Sequence, residues 1–450
     1  MTKLFGTDGI RGEAGCFPLD EKTVCAIGQA LAEFAGPPGS GRFLIGRDTR
    51  ESGPWITGRL SRGLACRGVA AIHDLGVIPT AGLAYLARAR DYDLGIMISA
   101  SHNPYRDNGI KLFSAQGFKI PDDREIEIER SIESWRTAPA VTVRHDSAGL
   151  DKRESLASDY LDFLSRQAGT RLEPLRLGLD VCNGAACLLA PRLFRRLGAE
   201  VTVINDRPDG RNINRNCGSQ HLEGLTRAVK ANSLDLGVAF DGDADRALFV
   251  TGSGTCLDGD HVLYALSRDG KATGALAGGP VVGTIMTNLA LEKALIREGI
   301  PLIRTPVGDK HVLQAMQASG AVLGGEPSGH IILRDLHTTG DGLLTAVKLA
   351  ELLVRRGASL DDLVAGYRPF PQVLDGLRVS RRVPIDQSPE LSRLIGDARA
   401  QLSDSGRMVV RYSGTEPLLR IMAEGRELAQ VQAAVDSLKA EASRFFNSLE

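Results

Sequence analysis

Short apolar runs that recur along the chain constrain its fold more than any other feature. Their central positions are apolar in succession and do not alternate with polar residues, which is typical of strands buried on both faces of a parallel sheet. We therefore predict a buried β-strand at each run. The five runs are Arg42–Asp48, Asp93–Ser99, Leu175–Val181, Asp235–Asp241 and Pro280–Met286.

Stretches with helical periodicity separate these runs. In one of them Val24, Ile27 and Leu31 recur at helical spacing, preceded by Asp20 as a candidate cap and followed by Gly36 as a candidate stop. Strands that alternate with amphipathic helices are the pattern of α/β proteins. The chain is therefore predicted to be α/β.

Two of the strands are followed by similar sequences. Leu94–Ser99 and Leu236–Asp241 resemble each other, and each leads through a polar loop into a second apolar run, GIKLF or RALFV. One interpretation is that the same α/β module is used more than once. The other is that buried strands simply look alike, and the sequence leaves both open.

Composition narrows the class of protein. The 450 residues correspond to about three domains as a first expectation, and a formal net charge of −1 argues against a nucleic-acid binder. Seven cysteines without a C-x-x-C spacing indicate neither a disulfide framework nor a zinc ribbon. We find no secretory signal and no stretch of about 18 apolar residues that could span a membrane. We therefore expect a cytoplasmic protein that binds neither membrane nor nucleic acid.

An acidic loop follows the fourth strand. Asp241, Asp243 and Asp245 alternate with small residues, so their carboxylates can converge on one hard cation, and few protein ligands suit Mg²⁺. An EF-hand is excluded, because its sixth and twelfth positions would be Arg246 and Gly252 where that loop needs Gly and Glu. The alternative is an acidic surface turn, in which three unpaired carboxylates would repel one another.

A serine-bearing loop follows the second strand. Ser101 lies next to His102 and could be an activated nucleophile or a phosphate carrier. Lys111, beyond the following turn, could act as an acid or a base if its pKa is lowered. An ordinary polar loop between two strands is the alternative.

Three further loops carry groups suited to sugars and anions. In GGEPSGH, Glu326 and Ser328 offer oxygen atoms for sugar hydroxyls, and His330 adds a titratable group. Arg11 lies among three glycines near the start of the chain and suggests contact with an anion. Gly308, in the sequence TPVGDK, belongs to a weaker candidate loop. Each of these segments could also be a plain turn.

A last candidate segment lies near the C-terminus. It combines two guanidinium groups with hydroxyl and backbone donors, which together suit a phosphate. A hairpin turn with solvated arginines is the alternative. The candidate residues are Arg411, Ser413, Gly414, Thr415 and Arg420.

Nucleotide-binding motifs do not account for these loops. No sequence fits G-x-x-x-x-G-K-[ST], and no G-x-G-x-x-G opens a suitable βαβ unit. A nucleotide-driven kinase and a dehydrogenase are both disfavoured. A divalent metal, a serine, arginines and sugar-type loops together fit phosphoryl transfer without a nucleotide.

Four motifs in order, ASHNPYRDNGIK, DGDADR, GGEPSGH and RYSGTEP, closely resemble the α-D-phosphohexomutase family over essentially the whole chain. FGTDGIRG, CNGAA and GRNINRNCGS resemble its bacterial subgroup that acts on glucosamine phosphate. The chain departs from that subgroup at Pro327, where Gln is usual. Proline removes an amide and one backbone N–H, which leaves the hexose preference open among glucosamine, glucose and mannose.

The resemblance implies four domains around one central cleft. Three would be similar mixed α/β domains, and the fourth would be a smaller α+β domain that binds phosphate. The implied ranges are 1–150 with the phosphoserine loop, 151–252 with the metal-binding loop, 253–367 with the sugar-binding loop, and 368–450.

The resemblance also implies roles for the candidate residues. Ser101 would carry a phosphoryl group, and its phosphate would hold Mg²⁺ together with the three aspartates. Lys111 would be an acid or base, Arg11 and Arg246 would steady the transferring phosphate, and His102 would lie in the catalytic loop. The implied substrate-binding residues are Glu326, Ser328, His330, Gly308, Arg411, Ser413, Gly414, Thr415 and Arg420.

The implied reaction interconverts glucosamine 6-phosphate and glucosamine 1-phosphate through a sugar 1,6-bisphosphate, and it would supply UDP-N-acetylglucosamine synthesis. The partner would be a small phosphosugar, and the protein would be a monomer or a homodimer. A non-catalytic sugar-phosphate sensor and a metal-dependent phosphatase are the alternatives from other classes.

Overall fold

The computed structural model describes residues 3–6, 8–138, 150–402, 406–412 and 417–448. The chain divides into two compact units. The first contains Met1–Thr284 and Ile303–Val364, and the second contains Ile285–Leu302 and Ala365–Glu450. Among the described residues, no helix is both long enough and apolar enough to cross a membrane.

The first sheet has the strand order β1-β2-β6-β5-β3-β4-β7. β3, β4, β5 and β7 run parallel, whereas β6 is antiparallel to both of its neighbours. The strands are β1 Phe5–Gly6, β2 Gly9–Glu13, β3 Arg42–Arg47, β4 Ala71–Val77, β5 Leu94–Ile98, β6 Asp107–Ser114 and β7 Leu150–Lys152.

Two further sheets follow. The second has the order β12-β11-β10-β8-β9, and the third has the order β14-β13-β15-β16. The strands of the second are β8 Arg176–Asp180, β9 Glu200–Ile204, β10 Leu236–Phe240, β11 Ala247–Thr251 and β12 Cys256–Leu257. Those of the third are β13 Val281–Thr284, β14 Leu302–Thr305, β15 Leu323–Gly325 and β16 Ile331–Leu333.

The three sheets contain the same four-strand module. Counted in chain order, its strands lie side by side as second, first, third and fourth: β4-β3-β5-β6, then β9-β8-β10-β11, then β14-β13-β15-β16. In each module the fourth strand is antiparallel to the third. The repeated module is therefore confirmed, and the five predicted strands correspond to β3, β5, β8, β10 and β13.

Helices cover the sheets and connect the strands. They are α1 Glu21–Phe34, α2 Gly53–Ala65, α3 Thr80–Ala89, α4 Asp122–Thr137, α5 Ala157–Gln167, α6 Leu189–Arg196 and α7 Glu223–Ala231. Further along are α8 Gly259–Thr273, α9 Leu289–Arg297, α10 Asp309–Ser319, α11 Gly342–Arg356 and α12 Leu360–Val364. Short 3₁₀ turns occur at Glu154–Leu156, Gly218–Gln220 and Ile385–Gln387.

Helix α1 shows how the local sequence determines an element. The Asp20 side chain accepts a hydrogen bond from the Thr23 amide, which satisfies a donor of the first turn. Val24, Ile27 and Leu31 are fully buried in the core beneath the first sheet. The helix was predicted from this spacing and is confirmed.

The last sheet is antiparallel, with the order β17-β19-β18. Its strands are β17 Gln372–Arg378, β18 Arg407–Tyr412 and β19 Leu418–Glu424, and its helices are α13 Pro389–Gln401 and α14 Leu428–Asn447. Leu391, Leu419, Val431 and Leu438 belong to one buried cluster between sheet and helices. Three mixed α/β sheets and a smaller α+β domain are thus confirmed, while the four residue ranges stay predictions.

Candidate active site

The serine loop and the acidic loop meet at one buried point. Ser101 lies between β5 and β6, and Asp241 directly follows β10, so both occupy the same place in their modules. The Ser101 hydroxyl donates a hydrogen bond to Asp241 Oδ2 at 2.6 Å. Both side chains are buried.

The backbone of Ser101 adopts an uncommon conformation. Its φ of +51° lies in the left-handed region, which costs an L residue about 1–2 kcal/mol. The Ser101 amide donates to Ser99 Oγ at 2.9 Å, and its carbonyl accepts from Asn214 Nδ2 at 2.8 Å. Gly242 allows the acidic loop to approach, since a Cβ there would lie 2.4 Å from the Ser101 carbonyl oxygen.

The three predicted metal ligands form a buried cluster. One ligand oxygen from each of Asp241, Asp243 and Asp245 lies within 4.8 Å of the others. Within the described part of the chain, Asp243 Oδ1 and Asp245 Oδ1 are buried and accept no hydrogen bond. Buried carboxylate oxygens without donors are costly, and they suit a hard divalent cation.

Charge repulsion is visible in the pKa values of this cluster. Burial raises the pKa of Asp241 well above its usual range, and repulsion from Asp245 and Asp243 raises it further. Burial also acts to raise the pKa of Asp245, but the positive charges around it, chiefly Lys111, outweigh burial and hold that pKa well below its usual range.

Lys111 lies directly against the acidic loop. Its Nζ is 2.8 Å from Asp243 Oδ2, 3.0 Å from Asp8 Oδ2 and 3.5 Å from Asp245 Oδ2. Burial alone would lower the pKa of Lys111, but these carboxylates raise it above its usual value. The lowered pKa on which a role as base depends is therefore not found, and the side chain is held as an ammonium.

His102, Arg246 and Arg11 surround the serine. His102 Nδ1 lies 3.3 Å from Ser101 Oγ and 3.4 Å from Arg246 Nη1. Arg11 Nη1 donates to the carbonyl of Ala100 at 3.2 Å. Burial, followed by the two arginines, lowers the pKa of His102 to about 4, so the imidazole is neutral at pH 7.

The predicted sugar loop is held by its own carboxylate. Glu326 Oε1 accepts from the Gly308 amide at 3.0 Å, and Oε2 accepts from the Ser328 hydroxyl at 3.4 Å. The Pro327 carbonyl accepts from the Gly259 amide at 3.0 Å. Glu326 and Ser328 are thus brought together with Gly308, which belongs to a separate candidate loop in the sequence.

Six side chains of alternating charge form a closed ring, here called the charge ring. Its members in order are Lys111, Asp8, Lys119, Asp309, His330 and Asp245. The N–O distances include 2.5 Å for Lys119–Asp309, 3.8 Å for His330–Asp309 and 3.6 Å for His330–Asp245. The ring joins residues in or next to all three α/β sheets and connects His330 to the acidic loop.

The ring favours the charged form of each of its members. Burial acts to raise the pKa values of Asp8 and Asp309, but neighbouring lysines outweigh it and both pKa values fall below the usual range. Burial acts to lower the pKa values of Lys119 and His330, but the facing carboxylates raise both.

The predicted phosphate-binding arginines lie in the second unit. Arg411 on β18 and Arg420 on β19 are directly opposite each other across an antiparallel pair. Like charges in this arrangement are destabilising without an anion or another partner. Ser413, Gly414 and Thr415 lie outside the described residues, so their predicted roles stay predictions.

Sequence reasoning missed several residues of the site. Asp48 and Arg50 follow β3, and Thr80 begins α3 after β4. Asp309 begins α10 after β14; it lies in the candidate sequence TPVGDK, but no role was predicted for it. Thr80 Oγ1 donates to Asp243 Oδ2 at 2.5 Å. A signal was present, because all four follow the carboxyl ends of module strands, where ligand-binding groups of α/β sheets gather.

Comparisons with known proteins agree with these observations. Four models of the phosphoglucomutase/phosphomannomutase family match: α/β/α domain I at residues 2–138, domain II at 158–254, domain III at 258–370 and the C-terminal domain at 376–441.

Individual relatives cover nearly the whole chain. A phosphoglucosamine mutase of Solibacter usitatus is 49% identical over 97% of this chain and 97% of its own. A phosphoglucomutase/phosphomannomutase family protein from Burkholderia thailandensis superposes with a TM-score of 0.79 at 25% identity, covering 98% of each chain. The Aspergillus fumigatus N-acetylphosphoglucosamine mutase, solved with GlcNAc-6P and magnesium, shares the fold with a TM-score of 0.68 at 17% identity, covering 98% of this chain and 95% of its own.

Proposed function

The chain belongs to the α-D-phosphohexomutase family, and we propose that it is a phosphoglucosamine mutase that interconverts glucosamine 6-phosphate and glucosamine 1-phosphate. The observation that carries the proposal is the buried contact of 2.6 Å between the Ser101 hydroxyl and Asp241, inside a cluster of three carboxylates. The full-length similarity to a phosphoglucosamine mutase supports the choice of sugar.

The reaction would proceed through phosphoserine 101. A hydroxyl of the sugar monophosphate forms a new P–O bond and gives up its proton, while the bond between phosphorus and Ser101 Oγ breaks. Ser101 Oγ takes up a proton and becomes a hydroxyl again, so no net proton is gained or lost. The resulting 1,6-bisphosphate turns around, and the other phosphoryl group returns to Ser101. Little covalent help is needed for such a transfer, so positioning and charge stabilisation decide the rate.

Asp241, Asp243 and Asp245 would hold Mg²⁺ together with the phosphate of Ser101. The cation would neutralise charge on the transferring phosphoryl group. Phosphoserine carries nearly two negative charges at neutral pH, and it would lie beside three carboxylates. The two buried aspartate oxygens without hydrogen bonds fit this assignment.

Positive and neutral side chains would complete the reacting centre. Lys111, held as an ammonium by its carboxylate neighbours, would act as the acid and not as the base. Arg11 and Arg246 would stabilise the transferring phosphate. His102, neutral because its pKa is about 4, would offer a hydrogen bond beside Ser101 without adding charge.

The remaining candidates would bind the sugar and its second phosphate. Glu326 and Ser328 would bind hydroxyl groups, with Gly308 and His330 beside them. The arginines of the β18–β19 hairpin and the adjoining Ser413–Thr415 segment would hold the phosphate that is not reacting. We place the reaction in the cytoplasm, because all seven cysteines are free thiols, as is usual in a reducing compartment.

A coupled assay with glucosamine, glucose and mannose 6-phosphates tests the proposal. We expect isomer exchange, with the highest kcat/KM for glucosamine 6-phosphate in the presence of a sugar 1,6-bisphosphate. A higher kcat/KM for glucose or mannose phosphate would mean that this sugar phosphate, and not glucosamine phosphate, is the substrate. Net release of inorganic phosphate would indicate a phosphatase, and tight binding without turnover would indicate a sensor.

A further inference from the structure

Arg50 is a fully buried arginine. Within the described residues, none of its side-chain hydrogen bonds goes to a residue that is proposed to bind the substrate. Its Nε lies 2.9 Å from Asp48 Oδ2, and both side chains have 0% exposure. A buried ion pair is stable only when its remaining donors and acceptors are satisfied. Beyond the Nε–Asp48 contact, both terminal nitrogens of the Arg50 guanidinium donate to a single loop.

That loop is the one that carries the reactive serine. Arg50 Nη2 donates to the carbonyls of Ser101 at 2.9 Å and Asn103 at 2.8 Å. Nη1 donates to the carbonyl of Asp107 at 2.8 Å and also to that of Pro104. Four carbonyls from seven consecutive residues thus converge on one planar group.

Asp48 reaches the same serine from its other side. Asp48 Oδ2 accepts from the Ser99 hydroxyl at 2.6 Å, and Ser99 Oγ accepts from the Ser101 amide at 2.9 Å. The ion pair therefore holds both the amide and the carbonyl of Ser101. Between these two anchors lies the backbone φ of +51°, which L residues rarely adopt.

We propose that Arg50 is a positioning residue for phosphoryl transfer: it holds Ser101 in the left-handed conformation that directs Oγ at Asp241. The inference rests on the proposed function and goes beyond it, since Arg50 itself touches no reacting atom. Displacement of a reacting group by about 1 Å can lower a rate about 100-fold. Asn214 also holds the Ser101 carbonyl, so loss of Arg50 loosens the loop without releasing it.

Arg50→Lys tests the proposal, with Arg47→Lys as the matched control. A lysine cannot reproduce a planar fork that donates to four carbonyls. Arg47 is the last residue of β3, the strand that Arg50 follows, and its Nη1 pairs with Asp74 Oδ1 on β4 at 2.7 Å. Full-length variants are compared for kcat, for KM toward glucosamine 6-phosphate, and for the rate at which Ser101 takes a phosphoryl group from glucose 1,6-bisphosphate, followed by intact-protein mass spectrometry.

We expect Arg50→Lys to lower kcat and the phosphorylation rate about 10- to 100-fold while KM stays within about twofold. Arg47→Lys should have the kcat, the KM and the phosphorylation rate of the wild type. A kcat for Arg50→Lys within twofold of the control, or an increase in KM that equals the decrease in kcat, overturns the proposal.

Ser99→Ala is a second, independent test that can be used if Arg50→Lys does not fold. It removes the hydroxyl that connects Asp48 to the Ser101 amide and leaves the ion pair intact. A decrease in kcat at unchanged KM and melting temperature supports the positioning role, and an unchanged kcat overturns it. If the wild type takes up the phosphoryl group but does not isomerise glucosamine phosphate, the proposed substrate fails, and Arg50 is judged on the phosphorylation rate alone.

Discussion

Lys119→Met should reveal how strongly the charge ring holds the site together. Lys119 Nζ lies between two carboxylates, Asp8 and Asp309, and its side chain is only 11% exposed. Methionine keeps much of the length of the side chain but removes the charge. Asp8 retains Lys111 and Arg11 as partners, whereas Asp309 loses its main positive neighbour.

The loss of stability in Lys119→Met follows from the burial of Asp309, whose negative charge is left behind. Removing one partner of a buried ion pair costs about 3–5 kcal/mol, because the other charge stays uncompensated. At roughly 2 °C per kcal/mol for a large domain, the melting temperature should fall by about 6–10 °C at pH 8. Lys439→Met is the matched control: Lys439 pairs with Asp375 at 2.7 Å, but the two side chains are 39% and 32% exposed, so its loss should cost about 1 kcal/mol or less.

The pH dependence of the stability lost in Lys119→Met tests the same reasoning. In the wild type Lys119 lowers the pKa of Asp309 below its usual value. The stability that this gives is fully present above the pKa of Asp309 in the unfolded chain, and it is lost as the pH falls through the pKa of Asp309 in the folded protein. Without Lys119, burial dominates and the pKa of Asp309 rises. The stability deficit should then shrink as pH falls from 8 to 5.5 and the buried carboxyl takes up a proton.

Differential scanning fluorimetry at pH 8 and pH 5.5 measures both effects. The double variant Lys119→Met/Asp309→Asn should recover part of the loss at pH 8, because it removes the uncompensated charge. The reasoning is refuted if Lys119→Met and Lys439→Met lower the melting temperature equally, or if the loss of stability in Lys119→Met is the same at the two pH values.

Three other changes have defined outcomes. Ser101→Ala should abolish phosphoryl uptake from a sugar 1,6-bisphosphate, and a persistent mass gain of one phosphate on the variant would place the phosphoryl group elsewhere. Arg411→Gln should raise KM about 10- to 150-fold and release bisphosphate into solution, because the loss of one charged hydrogen bond costs about 1.5–3 kcal/mol; an unchanged KM without released intermediate would contradict a phosphate site opposite Arg420. Chelation of divalent metal should remove activity, and Asp245→Asn should raise the magnesium concentration needed to restore it, as measured by titration of activity; an unaltered titration midpoint would argue against Asp245 as a ligand.

The repeated module was predictable in part because its strands are buried on both faces. Continuous apolar runs are required there, so β5 and β10 are visible as similar sequences followed by polar loops. The residues alone did not indicate the third copy, which only the family resemblance implied, because its third strand, Leu323–Gly325, has only three residues. The strand order confirms that it has the same module.

The charged residues of the site were predictable only where they lie in a motif. Asp241, Asp243 and Asp245 stand at alternate positions and were found, whereas Lys119 and Arg50 lie outside every motif quoted above. Nothing near them in the chain indicates their partners. Sequence reasoning also left the protonation of Lys111 open, since its pKa depends on carboxylates from Asp8 and Asp243.

The amino-acid sequence by itself determined the α/β class, the loops that carry chemistry and the residue types suited to metal, phosphate and sugar. The tertiary structure decided which of those groups touch and what charge they carry. Lys111 and Asp243 are 132 positions apart, and Ser101 and Asp241 are 140 apart. Coulomb energy and desolvation depend on distance and burial, and both are set only when the modules fold and bring their equivalent loops together.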